Sequence, residues 1–150
     1  MGKLLLKTVS IFGILFFLTS FDNASAEEDY CKNLVVNEQG EVLVGTSPEF
    51  GPLSGAFSMG TQSYQYGCSS AYKIVLEVTQ HTVLFKSVQV VFTDGTSLSP
   101  ISLKGELTKG ETRAAYVGGK EDMVIEEIHI QAGNIKDGSS QYKVYLRLDK

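Results

Sequence analysis

The chain has 150 residues, 43% of them hydrophobic, with 13 basic against 17 acidic side chains, two cysteines and no tryptophan. That length fits one domain with its own core, and the apolar share is that of a folded protein. The mildly acidic balance excludes the basic footprint that nucleic acid or an anionic membrane surface would require.

The first element in chain order is a targeting segment. Lys3 and Lys7 precede an apolar run from Val9 to Leu18, Thr19 to Asn23 turn polar, and Ala24-Ser25-Ala26 offer small residues for cleavage, which is the order of a secretory signal peptide. The run holds only about ten apolar residues, against roughly twenty for a bilayer-crossing helix, and no later stretch approaches that length, so no membrane span is expected. Residues 1–26 are expected to be removed, leaving 27–150 as a single secreted β domain that begins near Glu27, in a periplasm or an extracellular medium. Their loss takes away Lys3, Lys7 and Asp22 and leaves 11 basic and 16 acidic residues, a net charge of −5. Cys31 follows Glu28-Asp29-Tyr30, which is no lipid-attachment context.

Cys31 and Cys68 are the two cysteines, and an exported chain meets an oxidising compartment, so one disulfide between them is expected. It would close a loop of about forty residues and constrain the unfolded chain by about 4 kcal/mol. Metal ligation or a catalytic thiol would need a second ligand or an activating base that the neighbouring residues do not supply.

Before Cys68 only Glu41 to Val44 reads as a strand, because Gly45, Gly51, Gly55 and Gly60 with Pro48 and Pro52 break the segment. From Ala71 onward the period is two, with Tyr72, Ile74, Leu76 and Val78 in one register and Lys73 and Glu77 in the other. The run Thr82 to Phe92 changes register between Phe85 and Val88, so a bulge is expected at Lys86-Ser87. Asp94-Gly95 is a hairpin turn signal. Further strands are expected around Ile101 to Leu107, around Thr112 to Val117, over Met123 to Gln131 with Glu126-Glu127 interrupting the alternation, and from Tyr142 to Leu148. Turns at Lys109-Gly110, Gly118-Gly119 and Asp137-Gly138 separate them. Seven or eight short strands with regular turns and no substantial helix predict an all-β fold: an antiparallel β-sandwich, or an allied barrel or prism.

No nucleophile elbow, zinc-protease helix, phosphate loop, dinucleotide fingerprint or C-x-x-C is present, so neither an enzyme nor a cofactor is expected. His81 reads as a solvated turn residue and His129 as part of a wet sheet face, or the two share a zinc site if their strands pair. Glu121-Asp122 and Glu126-Glu127 read as a solvated acidic edge, or as an acid–base pair or calcium loop whose usual spacing is missing. Tyr64, Gln65 and Tyr66 form the candidate ligand-binding segment, since the two rings share a face if extended and planar rings with an amide neighbour suit sugar or peptide contacts. The alternative is that both rings pack over the disulfide.

The core run carries two resemblances. Tyr72-Lys73-Ile74-Val75-Leu76, Val88 to Gly95, Leu107 to Glu111 and Ile125 to Ile130 resemble small uncharacterised bacterial periplasmic β-sandwich proteins, over about half the chain, which implies a fold and a location. The same run is similar in part to jacalin-type lectin domains, with an Asp-Gly turn followed by a Gly-Glu turn. That resemblance implies sugar binding through a glycine-rich early segment and a late G-x-x-x-D loop, where this chain departs by reading Ser139-Ser140-Gln141-Tyr142 after Gly138. The expected function is therefore a secreted, non-enzymatic binding module for an extracellular or periplasmic protein or cell-surface partner. The alternatives are a lectin-like carbohydrate-binding domain and a small metal-dependent enzyme or inhibitor.

Overall fold

The computed structural model describes residues 34–51, 58–68, 71–118, 124–135 and 138–148. The signal segment 1–26, the expected start near Glu27, Cys31 and the Glu121-Asp122 pair lie outside them, so neither the cleavage nor the Cys31–Cys68 disulfide is described. Among the described residues the chain forms nine strands in two antiparallel sheets, and its helical content is one three-residue 3-10 turn. The all-β expectation holds, as the two-sheet alternative.

The strands are β1 (Glu41–Thr46), β2 (Ser58–Gln65), β3 (Ala71–Gln80), β4 (Thr82–Phe92), β5 (Ser97–Leu98), β6 (Gly105–Thr108), β7 (Thr112–Tyr116), β8 (Ile125–Asn134) and β9 (Gln141–Leu148). Sheet one runs β1-β9-β3-β7. Sheet two runs β2-β8-β4, with β5 and β6 both on the far side of β4: β6 pairs Thr82 to Phe85 and β5 pairs Val90 and Val91. Between β3 and β4 the chain passes from sheet one to sheet two through a single residue, His81, which takes φ 50 at that corner. A non-glycine residue in that left-handed region is uncommon.

Period two decides which side chains enter the core. Ile74, Leu76 and Val78 of β3 and Tyr142, Val144 and Leu146 of β9 face Val83, Phe85, Val88 and Val90 of β4 and Ile128 and Ile130 of β8, in one continuous cluster. The bulge in β4 falls where the apolar register changes: Phe85 pairs with Ala132 and Ser87 with Gln131, leaving Lys86 unopposed. A second irregularity leaves Glu126 unopposed between Ile125 and Glu127, which returns both Ile125 and Ile128 to the interior. The Asp94-Gly95 turn also forms as expected. Gly95 takes φ 82, and the Asp94 carboxylate accepts from the Thr96 backbone N–H and hydroxyl at 2.9 and 2.6 Å.

Three expectations need correction. Ser58–Gln65, left unassigned from sequence, is a full edge strand paired residue for residue with β8. The segment after Pro100 begins as a 3-10 turn, Ile101–Leu103, that inserts Leu103 into the core before β6 starts at Gly105. Tyr72 leaves the register of Ile74 because pairing skips from Ala71 to Lys73, and its ring joins Tyr116 instead of the core.

Candidate functional site

The segment Tyr64–Tyr66 is built into the sandwich. Its two rings do share a face, and that face is the inner one. Tyr66 is 4% exposed, while the Tyr64 ring lies against the backbone of Gly45, where an added Cβ would sit 2.3 Å from Tyr64 Cδ1. Tyr142 is the hub of this aromatic group, edge-on to Phe85, Phe50 and Tyr64 with ring centroids 5.1, 6.0 and 6.5 Å away. Burial raises the hydroxyl of Tyr64 above the ordinary tyrosine value and pushes that of Tyr142 far above it. The two interact, yet neither completes a hydrogen bond of good geometry. Gln65 alone of the candidate segment is exposed. The Cys68 Sγ lies 3.4 Å from the Tyr66 carbonyl oxygen, with its expected partner Cys31 outside the described residues.

A different set of tyrosines reaches the surface. The outer face of sheet one aligns Glu41, Arg147, Lys73 and Tyr116 in one cross-strand row and Leu43, Tyr145, Val75 and Ala114 in the next. Tyr116, on the edge strand β7, is 72% exposed. Its ring stands 6.1 Å from that of Tyr72 at an interplanar angle of 31°, with the Lys73 ammonium 5.5 Å from its centroid. Arg147 Nη2 donates to Glu41 Oε1 at 2.5 Å, and the Tyr145 hydroxyl donates to Glu77 Oε2 at 2.8 Å. Burial, with Glu77 alongside, pushes the Tyr145 hydroxyl up to about 12. This face combines a tilted aromatic pair, an exposed Leu43 and a charged fringe in which Lys73, Lys143 and Arg147 stand among Glu41 and Glu77. It is suited to stacking and amphipathic contact.

The outer face of sheet two is polar. Cross-strand pairing sets Ser63 opposite His129 and Gln65 opposite Glu127. The Ser63 Oγ lies 2.8 Å from His129 Nδ1, and His129 Nε2 lies 3.2 Å from Glu127 Oε2. Ser63 was not singled out from sequence, because it is separated from His129 by 66 positions and only the register of β2 on β8 joins them. His81 lies on no strand but at the corner before β4; β4 pairs with β8 so that His129 stands opposite Gln89, eight residues beyond His81, and the shared zinc site is not formed. Among the described residues no group of three or more histidine, cysteine, aspartate or glutamate side chains is placed to hold a metal ion. Glu126 points to solvent at the bulge while Glu127 holds His129; the part of the calcium-loop reading that rests on Glu121-Asp122 lies outside the described residues.

At the end of the sandwich, Thr79, Gln80, His81 and Lys109 line an open cleft of about 630 Å³. Gly138 underlies the His81 ring so closely that a Cβ there would come within 2.6 Å of Cε1. Among the described residues no helix is long and apolar enough to cross a membrane. Comparison with protein-family models, curated proteins and solved structures finds no match to this chain.

Proposed function

We propose that the chain is an exported binding module that acts by contact rather than turnover, with residues 1–26 as a removable signal and Cys31 paired with Cys68. Its partner is an extracellular or periplasmic protein or cell-surface component, bound across the outer face of sheet one. The observation that carries this reading is the outward group of Tyr72, Tyr116 and Tyr145, fringed by Lys73 and Arg147, on the outer face of a four-stranded sheet. Aromatic and arginine side chains of this kind concentrate binding energy at interfaces. Its test is the binding of labelled protein to intact cells or envelope material from the source. Tyr72→Ala and Tyr116→Ala are expected to weaken it by about tenfold or more, the effect of losing a single hot spot, while Lys109→Ala at the distant cleft leaves it unchanged. Equal binding by all four proteins would refute the placement.

The tilted Tyr72–Tyr116 pair, with Tyr116 exposed, favours one second reading, a glycan ligand stacked on one or both ring faces. In that case free oligosaccharide displaces the bound protein. The sugar face then lies on β3 and β7, away from Tyr64 and Tyr66.

A further inference from the structure

The serine, histidine and glutamate gathered on the outer face of sheet two are ordered as nucleophile, base and orienting group. A carboxylate can only accept a hydrogen bond, so the ring nitrogen facing Glu127 Oε2, Nε2, carries the hydrogen. That fixes the tautomer and leaves the lone pair of Nδ1 directed at Ser63 Oγ, 2.8 Å away, where it accepts the serine hydroxyl. Ser63 is exposed on the outer face of the sheet, the side from which a reagent approaches. The arrangement is rigid in the sense that matters: all three residues stand on paired strands, Ser63 opposite His129 and Glu127 one step along β8 on the same face. Gln89, the cross-strand neighbour of His129 on β4, turns away from the ring to donate to Ser97 Oγ at 3.1 Å, so it does not compete for Nδ1.

We propose that Ser63 is an activated serine, a site of covalent acylation by carboxylic esters, with His129 as its base and Glu127 as the positioning residue. In the step, Ser63 Oγ forms a bond to the ester carbonyl carbon, the bond from that carbon to the leaving oxygen breaks, and the serine proton passes to His129 Nδ1 and on to the departing alkoxide. Neighbouring N–H groups on a strand point to opposite sides, so the β2 backbone at Ser63 does not supply the paired donors of an oxyanion hole. Lacking one such donor costs a factor of about 10²–10³ in rate. Ser63 is therefore expected to accept one acyl or phosphonyl group and keep it, which agrees with a protein that works by contact.

The test is site-resolved labelling of the purified, folded protein with an alkyl fluorophosphonate. In this reaction Ser63 Oγ displaces fluoride from phosphorus and the proton again leaves through His129. Ser97, exposed on the same face and without a histidine, is the internal control. Peptide mass spectrometry is expected to show Ser63 labelled on the order of tenfold or more faster than Ser97, below the full range of a general base. His129→Gln should bring the ratio to about one, with thermal melting confirming the fold. Glu127→Ala should lower the ratio, and Glu127→Gln, which still offers an acceptor oxygen to Nε2, should restore most of it. A wild-type ratio near one, or a high ratio that survives His129→Gln, overturns the assignment of Ser63. A ratio untouched by Glu127→Ala overturns the role of Glu127.

Discussion

Six of the seven tyrosines lie among the described residues and divide evenly: Tyr64, Tyr66 and Tyr142 turn into the sandwich, and Tyr72, Tyr116 and Tyr145 turn out of it. The residue type is the same and the environments are opposite. Inside, Tyr142 is fully buried and its hydroxyl lacks a well-formed hydrogen bond. Outside, Tyr145 donates to Glu77 and the Tyr116 hydroxyl is free to meet water. The inner rings thus spend polar-group desolvation to fill volume, while the outer rings keep their polar tips and offer their faces. Strand parity, with a single bulge at Tyr72, decides which role each ring takes.

The strongest way to break this division is Tyr142→Ala. Deleting a ring that touches three others leaves a cavity between the sheets, and changes of this kind cost about 3–5 kcal/mol, a large part of the roughly 5–15 kcal/mol that holds a domain folded. The urea midpoint should fall accordingly. A loss under about 0.5 kcal/mol, within the range of an ordinary surface change, would mean that Tyr142 is not the hub of the core.

How far the division could be read from sequence depends on the kind of information each part needs. The parity of β3, β4 and β9 was legible because Ile74, Leu76, Val78, Tyr142, Val144 and Leu146 alternate with polar neighbours, and the Lys86 bulge was legible because the apolar register slips there. β2 was not, since Thr61, Gln62, Ser63 and Gln65 have no apolar alternation and the strand is held by pairing with β8. That Tyr64 and Tyr66 share a face was local information; that the face is the inner one depends on the sheet packed against it. The outward turn of Tyr72 rests on a skipped pairing with β9, and the joining of Ser63 with His129 rests on a register between distant segments. Both are long-range facts that a single sequence does not print.

A smaller effect should appear in alkali. The hydroxyls of Tyr64, Tyr142 and Tyr145 are all raised above their ordinary value of 10.0, by burial first in each case, and Tyr145 reaches about 12. For a raised group the folded state holds its proton more tightly than the unfolded chain. The associated stability is complete below pH 10 and is lost as pH rises through about 12. Melting temperature should therefore decline above pH 10, with phenolate absorbance from Tyr142 appearing only as the chain unfolds. Tyr142→Phe should move that alkaline transition to higher pH, because it removes the most deeply buried titrating hydroxyl. An unchanged transition in Tyr142→Phe would show that some other group governs alkaline unfolding.

The smallest stability effect sharpens the comparison most. Tyr116 stands on an edge strand with its ring exposed, held among the described residues by the tilted contact with Tyr72 and by the Lys73 ammonium. An exposed cation–ring contact is worth about 0.5–1 kcal/mol, and solvent takes over much of what the ring leaves behind, so Tyr116→Ala should shift folding stability by no more than about 0.5–1 kcal/mol. Stability so little changed, combined with lost cell-surface binding, would separate the outer tyrosines from the inner ones by function rather than by position alone. A change comparable to that of Tyr142→Ala would make Tyr116 a structural residue and remove the reason for placing the contact surface on sheet one.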